Sequence, residues 1–315
     1  MSRKIAFILY FSLIATALGG QEITNAFHDP GFSAGLAVIC PDRTADTVCA
    51  VLKVDSLKTP VWTLRQYNSK FNLANSIKDE GISRYTFSLP GNGNLNAKVV
   101  SINPARGALT LECNASAEYS GIRCKDQPWI YMTAEAPTDT LVLAKYKQMP
   151  LYMSCRALFY EDCMGFLAEK AIHAATYRVN FRVRNINRSG NLYGKWFTVS
   201  LVLFDNRYIG LQTEASLRDA RDRDEGEFVY LPSSDRYISS SLSNYRLLKP
   251  RQSAEVNADL LAIVKDALDA ALAEGRFDET YPAEWEITTC NLGWEMTGTY
   301  NASLEVKGMK LTASR

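Results

Sequence analysis

Histidine is almost absent from this 315-residue chain, which has two, and so is net charge: 35 basic and 34 acidic residues leave +1 at neutral pH. With so little histidine, no Cys-x-x-Cys and no Cys/His cluster, the sequence offers no structural zinc site of ordinary spacing. The charge balance excludes the broad basic surface of a nucleic-acid binder and a polybasic membrane patch. There is no Walker loop; the glycine-rich residues 90–94 (PGNGN) read as a short turn. Beyond residue 18 no apolar run approaches the roughly 20 residues that a spanning helix needs.

What stands before residue 18 is a targeting segment. Arg3 and Lys4 form a positive head, residues 5–18 (IAFILYFSLIATAL) are nearly all apolar, and Ala15, Ala17, Gly19 and Gly20 supply small residues for cleavage. The expectation is a signal peptide over 1–20 and a mature chain of 21–315 folded as one domain, secreted or periplasmic. No cysteine lies at the cleavage region to carry a lipid anchor.

Seven cysteines follow: Cys40 with Cys49, Cys113 with Cys124, Cys155 with Cys163, and Cys290 by itself. Three close pairs in an exported chain predict three local disulfides, each closing a loop of about ten residues and contributing roughly 2–3 kcal/mol. Cys290 is left over, as a buried free thiol or a reactive one.

Alternation of period two runs through most of the chain. Residues 84–89 (RYTFSL), 97–103 (AKVVSIN) and 108–113 (ALTLEC) read as strands. The clearest case sets Tyr177, Val179, Phe181 and Val183 on one face and Arg178, Asn180, Arg182 and Arg184 on the other. Residues 196–204 (WFTVSLVLF) read as a buried strand, and 299–306 alternate again until Gly308 breaks the ladder. One segment has helical period: residues 258–274 carry Leu260, Leu261, Val264, Leu268 and Leu272 on one side, with Ser253 or Asn257 to cap the start and Gly275 to close it. Many strands with one late helix predict an all-β, two-sheet antiparallel sandwich of jelly-roll type.

Four stretches carry a resemblance: residues 60–74 (PVWTLRQYNSKFNLA), 111–136 (LECNASAEYSGIRCKDQPWIYMTAEA), 173–208 (HAATYRVNFRVRNINRSGNLYGKWFTVSLVLFDNRY) and 291–311 (NLGWEMTGTYNASLEVKGMKL). In order and wording they resemble exported bacterial proteins of the concanavalin A-like lectin/glucanase jelly-roll superfamily. The resemblance implies glycan binding on a concave sheet, by a binding module, a glycoside hydrolase or a polysaccharide lyase. Calcium is common in that superfamily, but no Asp-rich loop assigns a site here, so no cofactor is expected.

Catalytic signatures are weak. A hydrolase of this kind would show Glu-x-Asp-x-x-Glu on a strand. The nearest match, Asp222-x-Asp224-x-x-Glu227, departs at its first residue and lies in a charge run. A lyase would show Gln-x-His, which is absent; His173 and Tyr177, followed by Arg178 and Arg182, form a reduced version of that cluster. Binding fits the composition better. Sugars stack on aromatic rings and hydrogen-bond to polar side chains, which singles out Tyr119, Arg123, Trp129, Arg178, Arg182, Asp205, Arg207, Trp294 and Glu295. Asp205 with Arg207 also reads as a plain ion pair, and the arginine face also reads as a solvated or acid-paired surface. The function expected is recognition of a polysaccharide or cell-surface glycan, acidic if the arginines line the groove. The alternatives are a lyase or hydrolase, or a structural or protein-interaction domain.

Overall fold

The computed structural model describes residues 22–41, 46–91, 95–119, 121–122, 124, 127–207, 213–219, 227–239, 250–278 and 280–315. The leader expected over 1–20, Arg123, Asp222 and Asp224 lie outside the described residues, as does the side chain of Glu227.

The strands are β1 (Gly35–Ile39), β2 (Val48–Lys53), β3 (Trp62–Tyr67), β4 (Ile77–Glu80), β5 (Tyr85–Pro90), β6 (Asn96–Asn103), β7 (Ala108–Asn114), β8 (Ile130–Val142), β9 (Pro150–Asp162), β10 (Ala175–Asn185), β11 (Trp196–Asp205), β12 (Ala215–Asp219), β13 (Glu227–Leu231), β14 (Ile238–Ser239), β15 (Ser253–Asp259), β16 (Trp285–Met296) and β17 (Tyr300–Leu311). One helix, α1 (Leu260–Ala273), sits between β15 and β16. The strands form a nine-stranded sheet, β12-β13-β11-β10-β16-β8-β3-β1-β2, and an eight-stranded sheet, β14-β15-β9-β17-β7-β6-β5-β4. Pairing is antiparallel except for β1 with β3 and β11 with β13.

The two sheets stack and share one core. On β10 the alternation works as expected: Tyr177, Val179, Phe181 and Val183 are fully buried between the sheets, while Arg178, Asn180 and Arg182 are half-buried on the outer face. β16 inserts Leu292 and Trp294 into the same core, and the Trp294 indole N–H donates to the Leu111 carbonyl of β7 at 2.8 Å, tying one sheet to the other. Tyr177 packs edge-on against Trp294, with centroids 5.1 Å apart.

Gly308 breaks the ladder as expected, without ending its strand. It adopts φ 64°, and β17 runs on through an irregularity between Lys307 and Lys310 to Leu311, which pairs with Leu151. Two local expectations need correction. Helix α1 is capped by Asp259, whose carboxylate accepts from Leu261 N at 3.1 Å, rather than by Ser253 or Asn257, because Asp259 is the residue that immediately precedes the helix. Leu272 falls outside the helix's buried stripe and is exposed, whereas Ile263 is buried.

The cysteines depart further. Cys40 and Cys49 form a disulfide. Cys113, Cys124, Cys155, Cys163 and Cys290 are free. Cys155 lies inside β9 and Cys163 follows its end; eight residues along one extended strand place them about 25 Å apart. A disulfide needs Cα atoms within about 7 Å. Cys113 points into the core from β7, while Cys124 is exposed on the segment beyond it. Sequence proximity misled here because a strand separates neighbours at the maximum rate the chain allows. Among the described residues no helix is long and apolar enough to cross a membrane.

Candidate functional site

The outer face of the nine-stranded sheet gathers most of the polar residues of interest. Strand register sets them in rungs. Thr63, Glu135, Asn291, Asn180 and Ser200 align across β3, β8, β16, β10 and β11. One step toward the start of β8 come Arg65, Thr133, Gly293 and Arg178, and then Tyr67, Tyr131, Glu295 and Thr176. In the other direction stand Pro137, Thr289, Arg182 and Thr198, and beyond them Glu286, Arg184 and Trp196. Each outward residue alternates with an inward apolar one, as in Ile130, Met132, Ala134 and Ala136 of β8, so burial of the inner set fixes which side chains face out.

The face is charge-compensated. Arg178 lies 3.6 Å from Glu295, and the same carboxylate accepts from the Tyr131 hydroxyl at 2.5 Å. Arg184 meets Glu286 at 2.7 Å. Arg65 holds Asp46 through two bonds, 2.5 and 3.1 Å, and reaches Glu135 at 3.3 Å. This guanidinium keeps the Asp46 carboxyl below its ordinary range. Arg182 has an aromatic partner instead, its guanidinium 4.2 Å from the centre of the Trp196 ring. At the opposite end Trp129, 42% exposed, stacks on Tyr131 with centroids 6.4 Å apart.

Amide and hydroxyl side chains lie between these ends, and three polar atoms there are sealed from solvent without a hydrogen-bond partner. Asn180 donates to Asn291 at 2.9 Å, and its own carbonyl oxygen has no partner. Ser200 Oγ on the same rung and Arg178 Nε on the next are also without one. Gly293 leaves a notch beside them. A Cβ there would lie 2.1 Å from the Met132 carbonyl oxygen, so the close approach of β16 to β8 requires glycine, and the face carries no side chain between Thr133 and Arg178.

Not all the residues singled out from sequence gather here. Arg178, Arg182, Glu295 and Trp129 do. Tyr119 is half-buried, its hydroxyl donating to the Pro128 carbonyl at 3.2 Å near the Trp129 end. Asp205 and Arg207 form a two-bond ion pair at the end of β11, at 3.0 and 2.7 Å. Trp294 belongs to the core. His173 and Tyr177 do not reach the face. His173 is buried and accepts from Glu169 N at 2.9 Å, while Tyr177 faces the opposite sheet and burial pushes its phenol well above the ordinary value. Sequence reasoning missed Arg65, Tyr131, Glu135, Trp196, Ser200 and Asn291. The alternation of residues 130–137 (IYMTAEAP) held the signal for Tyr131 and Glu135; which strands lie beside β8 was not visible in it.

No protein-family model matches the chain, and no curated protein matches it in sequence. Solved structures do match at low identity. A family 12 xyloglucanase from Bacillus licheniformis shares 10% identity, with 76% of this chain and 97% of that one covered and a TM-score of 0.41. The endoglucanase Cel12A from Rhodothermus marinus gives 13%, 75%, 95% and 0.38, respectively. The family 11 xylanase from Neocallimastix patriciarum gives 10%, 80%, 100% and 0.37. Likeness at these TM-scores carries no argument about activity or substrate. The two-sheet architecture rests on the strand pairing of this chain itself.

Proposed function

We propose that the chain is an exported polysaccharide-binding protein and that the glycan lies along the outer face of the nine-stranded sheet. The observation that carries this reading is the layout of that face: aromatic surface at both ends, Trp129 with Tyr131 and Trp196 under Arg182, and the polar side chains of Thr63, Glu135, Asn291 and Asn180 in a row between. Five rungs span about 27 Å, room for several sugar rings in a row. Four cations, Arg65, Arg178, Arg182 and Arg184, face four carboxylates, Asp46, Glu135, Glu286 and Glu295. A balanced face favours a neutral chain over an acidic one.

Glu135 and Glu295 flank the Gly293 notch, and this supports a second reading, hydrolysis of the bound glycan. Four residues out of register on adjacent strands, their Cα atoms are about 14 Å apart. Carboxyl groups stand about 5–5.5 Å apart in retaining glycosidases and about 6.5–9.5 Å in inverting ones. Both side chains would have to turn toward the notch, and each is tied to an arginine, so binding without turnover is the leading reading.

Native affinity electrophoresis against soluble neutral β-glucans and xylans, with reducing-end assays on the same mixtures, separates these readings. Retardation by at least one neutral polymer without new reducing ends is the expected result. Reducing ends lost in Glu295→Gln would replace binding by hydrolysis. Absence of retardation by every polymer tested would overturn both.

A further inference from the structure

The opposite side of the molecule carries a feature that the glycan face does not use. On the outer surface of the eight-stranded sheet lies a hollow of about 230 Å³ lined by Arg84, Arg106, Arg156 and Lys307 around Glu305, with Ser154 also in the lining. Four cations and one carboxylate leave the lining at +3. Only Arg84 is engaged with that carboxylate, at 4.0 Å; Arg106, Arg156 and Lys307 pair with no carboxylate among the described residues. Their positions are fixed by backbone. Arg156 and Lys307 project from paired strands β9 and β17. Arg106 ends a turn whose first residue, Asn103, caps it by accepting from Arg106 N at 3.2 Å. Gly107 follows in the left-handed region, and its carbonyl accepts from Gly308 N at 3.0 Å, fastening the turn beside Lys307.

Holding like charges around one hollow costs free energy, which an anion would offset. The volume lies below the range of drug-sized pockets and suits one small group. Arginine forks match the oxygens of a tetrahedral oxyanion, and a phosphate carries close to two negative charges at neutral pH, nearer to the uncompensated +3 than a carboxylate's one. We infer that this hollow is a phosphate-binding site, taking the phosphate group either free or esterified to a sugar.

Titration calorimetry of the whole protein at constant ionic strength tests it, with inorganic phosphate, glucose 6-phosphate and glucose as probes. Expected is binding of at least one phosphate probe, none of glucose, and at least tenfold weakening in Arg156→Ala/Lys307→Ala. The outer-lying Arg106→Ala gives a second variant if the double one fails to fold. Tighter binding of glucose 6-phosphate identifies the ester as the ligand, and tighter binding of inorganic phosphate the free ion. Equal heats in wild type and in both variants, or no binding of either phosphate, would overturn the site.

A separate observation concerns two of the free thiols. Cys163 N donates to the Thr299 carbonyl at 3.2 Å, and the Thr299 hydroxyl donates to the Gly121 carbonyl at 2.8 Å. Gly121 is thus fastened beside Cys163, and Cys124, three residues on, lies at most about 11 Å from Gly121. Both thiols are exposed, unlike Cys113, Cys155 and Cys290. The geometry points to a Cys124–Cys163 disulfide formed by exchange with a small external disulfide. The Cys124 thiolate attacks it and releases one thiol; the Cys163 thiolate then attacks the Cys124 sulfur and releases the second, so two protein thiols are oxidised as the external disulfide is reduced. Protein treated with oxidised glutathione, alkylated in the unfolded state and mapped without reduction should yield linked 124 and 163 peptides. Alkylated Cys124 in that material, or Cys124 linked to another cysteine, would overturn the pairing.

Discussion

The guanidinium of Arg182 lies 4.2 Å over the ring of Trp196, so the most obvious cation and the most obvious stacking platform of the glycan face already occupy each other. A sugar that stacks on Trp196 must displace the arginine or lie along it. At a half-exposed site the contact is worth about 0.5–1 kcal/mol. Arg182→Ala should therefore leave the affinity for a neutral polysaccharide unchanged or raise it up to about fivefold. Trp196→Ala should lower it by about tenfold or more, read as retardation in affinity gels.

Arg178 behaves differently from Arg182 because Glu295 depends on it. Arg178→Ala leaves a half-buried carboxylate supported by the Tyr131 hydroxyl alone. A loss of about 1–2 kcal/mol in urea unfolding is expected, between the values for exposed and buried pairs. Arg178→Ala/Glu295→Gln should recover part of it.

Core packing gives the largest expected effects. Phe181 is fully buried on the inner face of β10. Phe181→Ala should cost about 3–5 kcal/mol. Gly293→Ala adds a methyl where the Met132 carbonyl already stands, and should cost at least about 2 kcal/mol, visible as a lowered melting temperature.

Three core thiols make stability fall with alkali. Burial pushes Cys113 and Cys155 up to about 12 from an ordinary 9, and Cys290 higher still. The folded state keeps these protons where the unfolded chain loses them, so their contribution is complete below pH 9 and is lost as pH rises toward 12. Each thiol costs about 1.4 kcal/mol per pH unit in that window. Urea midpoints should drop steeply between pH 9 and 11, and the drop should be shallower in Cys290→Ala than in the parent. Iodoacetamide at pH 8 should leave all three unmodified until the protein unfolds.

Much of this architecture was legible in the sequence wherever one rule dominated. The alternation of residues 177–184 fixed a strand and the direction of every side chain in it, because each inward position had to be apolar. Helix α1 was equally plain, apart from its cap and Leu272. What the sequence hid was everything that depends on which strands become neighbours. Glu135 and Asn291 share a rung although 156 positions separate them, and nothing local in either segment announces the other. The same gap explains the cysteines. Cys113 and Cys155 sit in alternating strands, and an inward position there outweighs nearness along the chain.

The central strands of both sheets, β16 and β17, are the last two in the order of synthesis. Until residues 285–311 emerge, β8 and β10 lack the strand between them, and so do β7 and β9. Every earlier segment must wait with two unfilled seams, so neither layer can close while the chain is still being made. Native structure is thus postponed until elongation is nearly over. A chain stopped at residue 284 should accordingly show no cooperative melting at all.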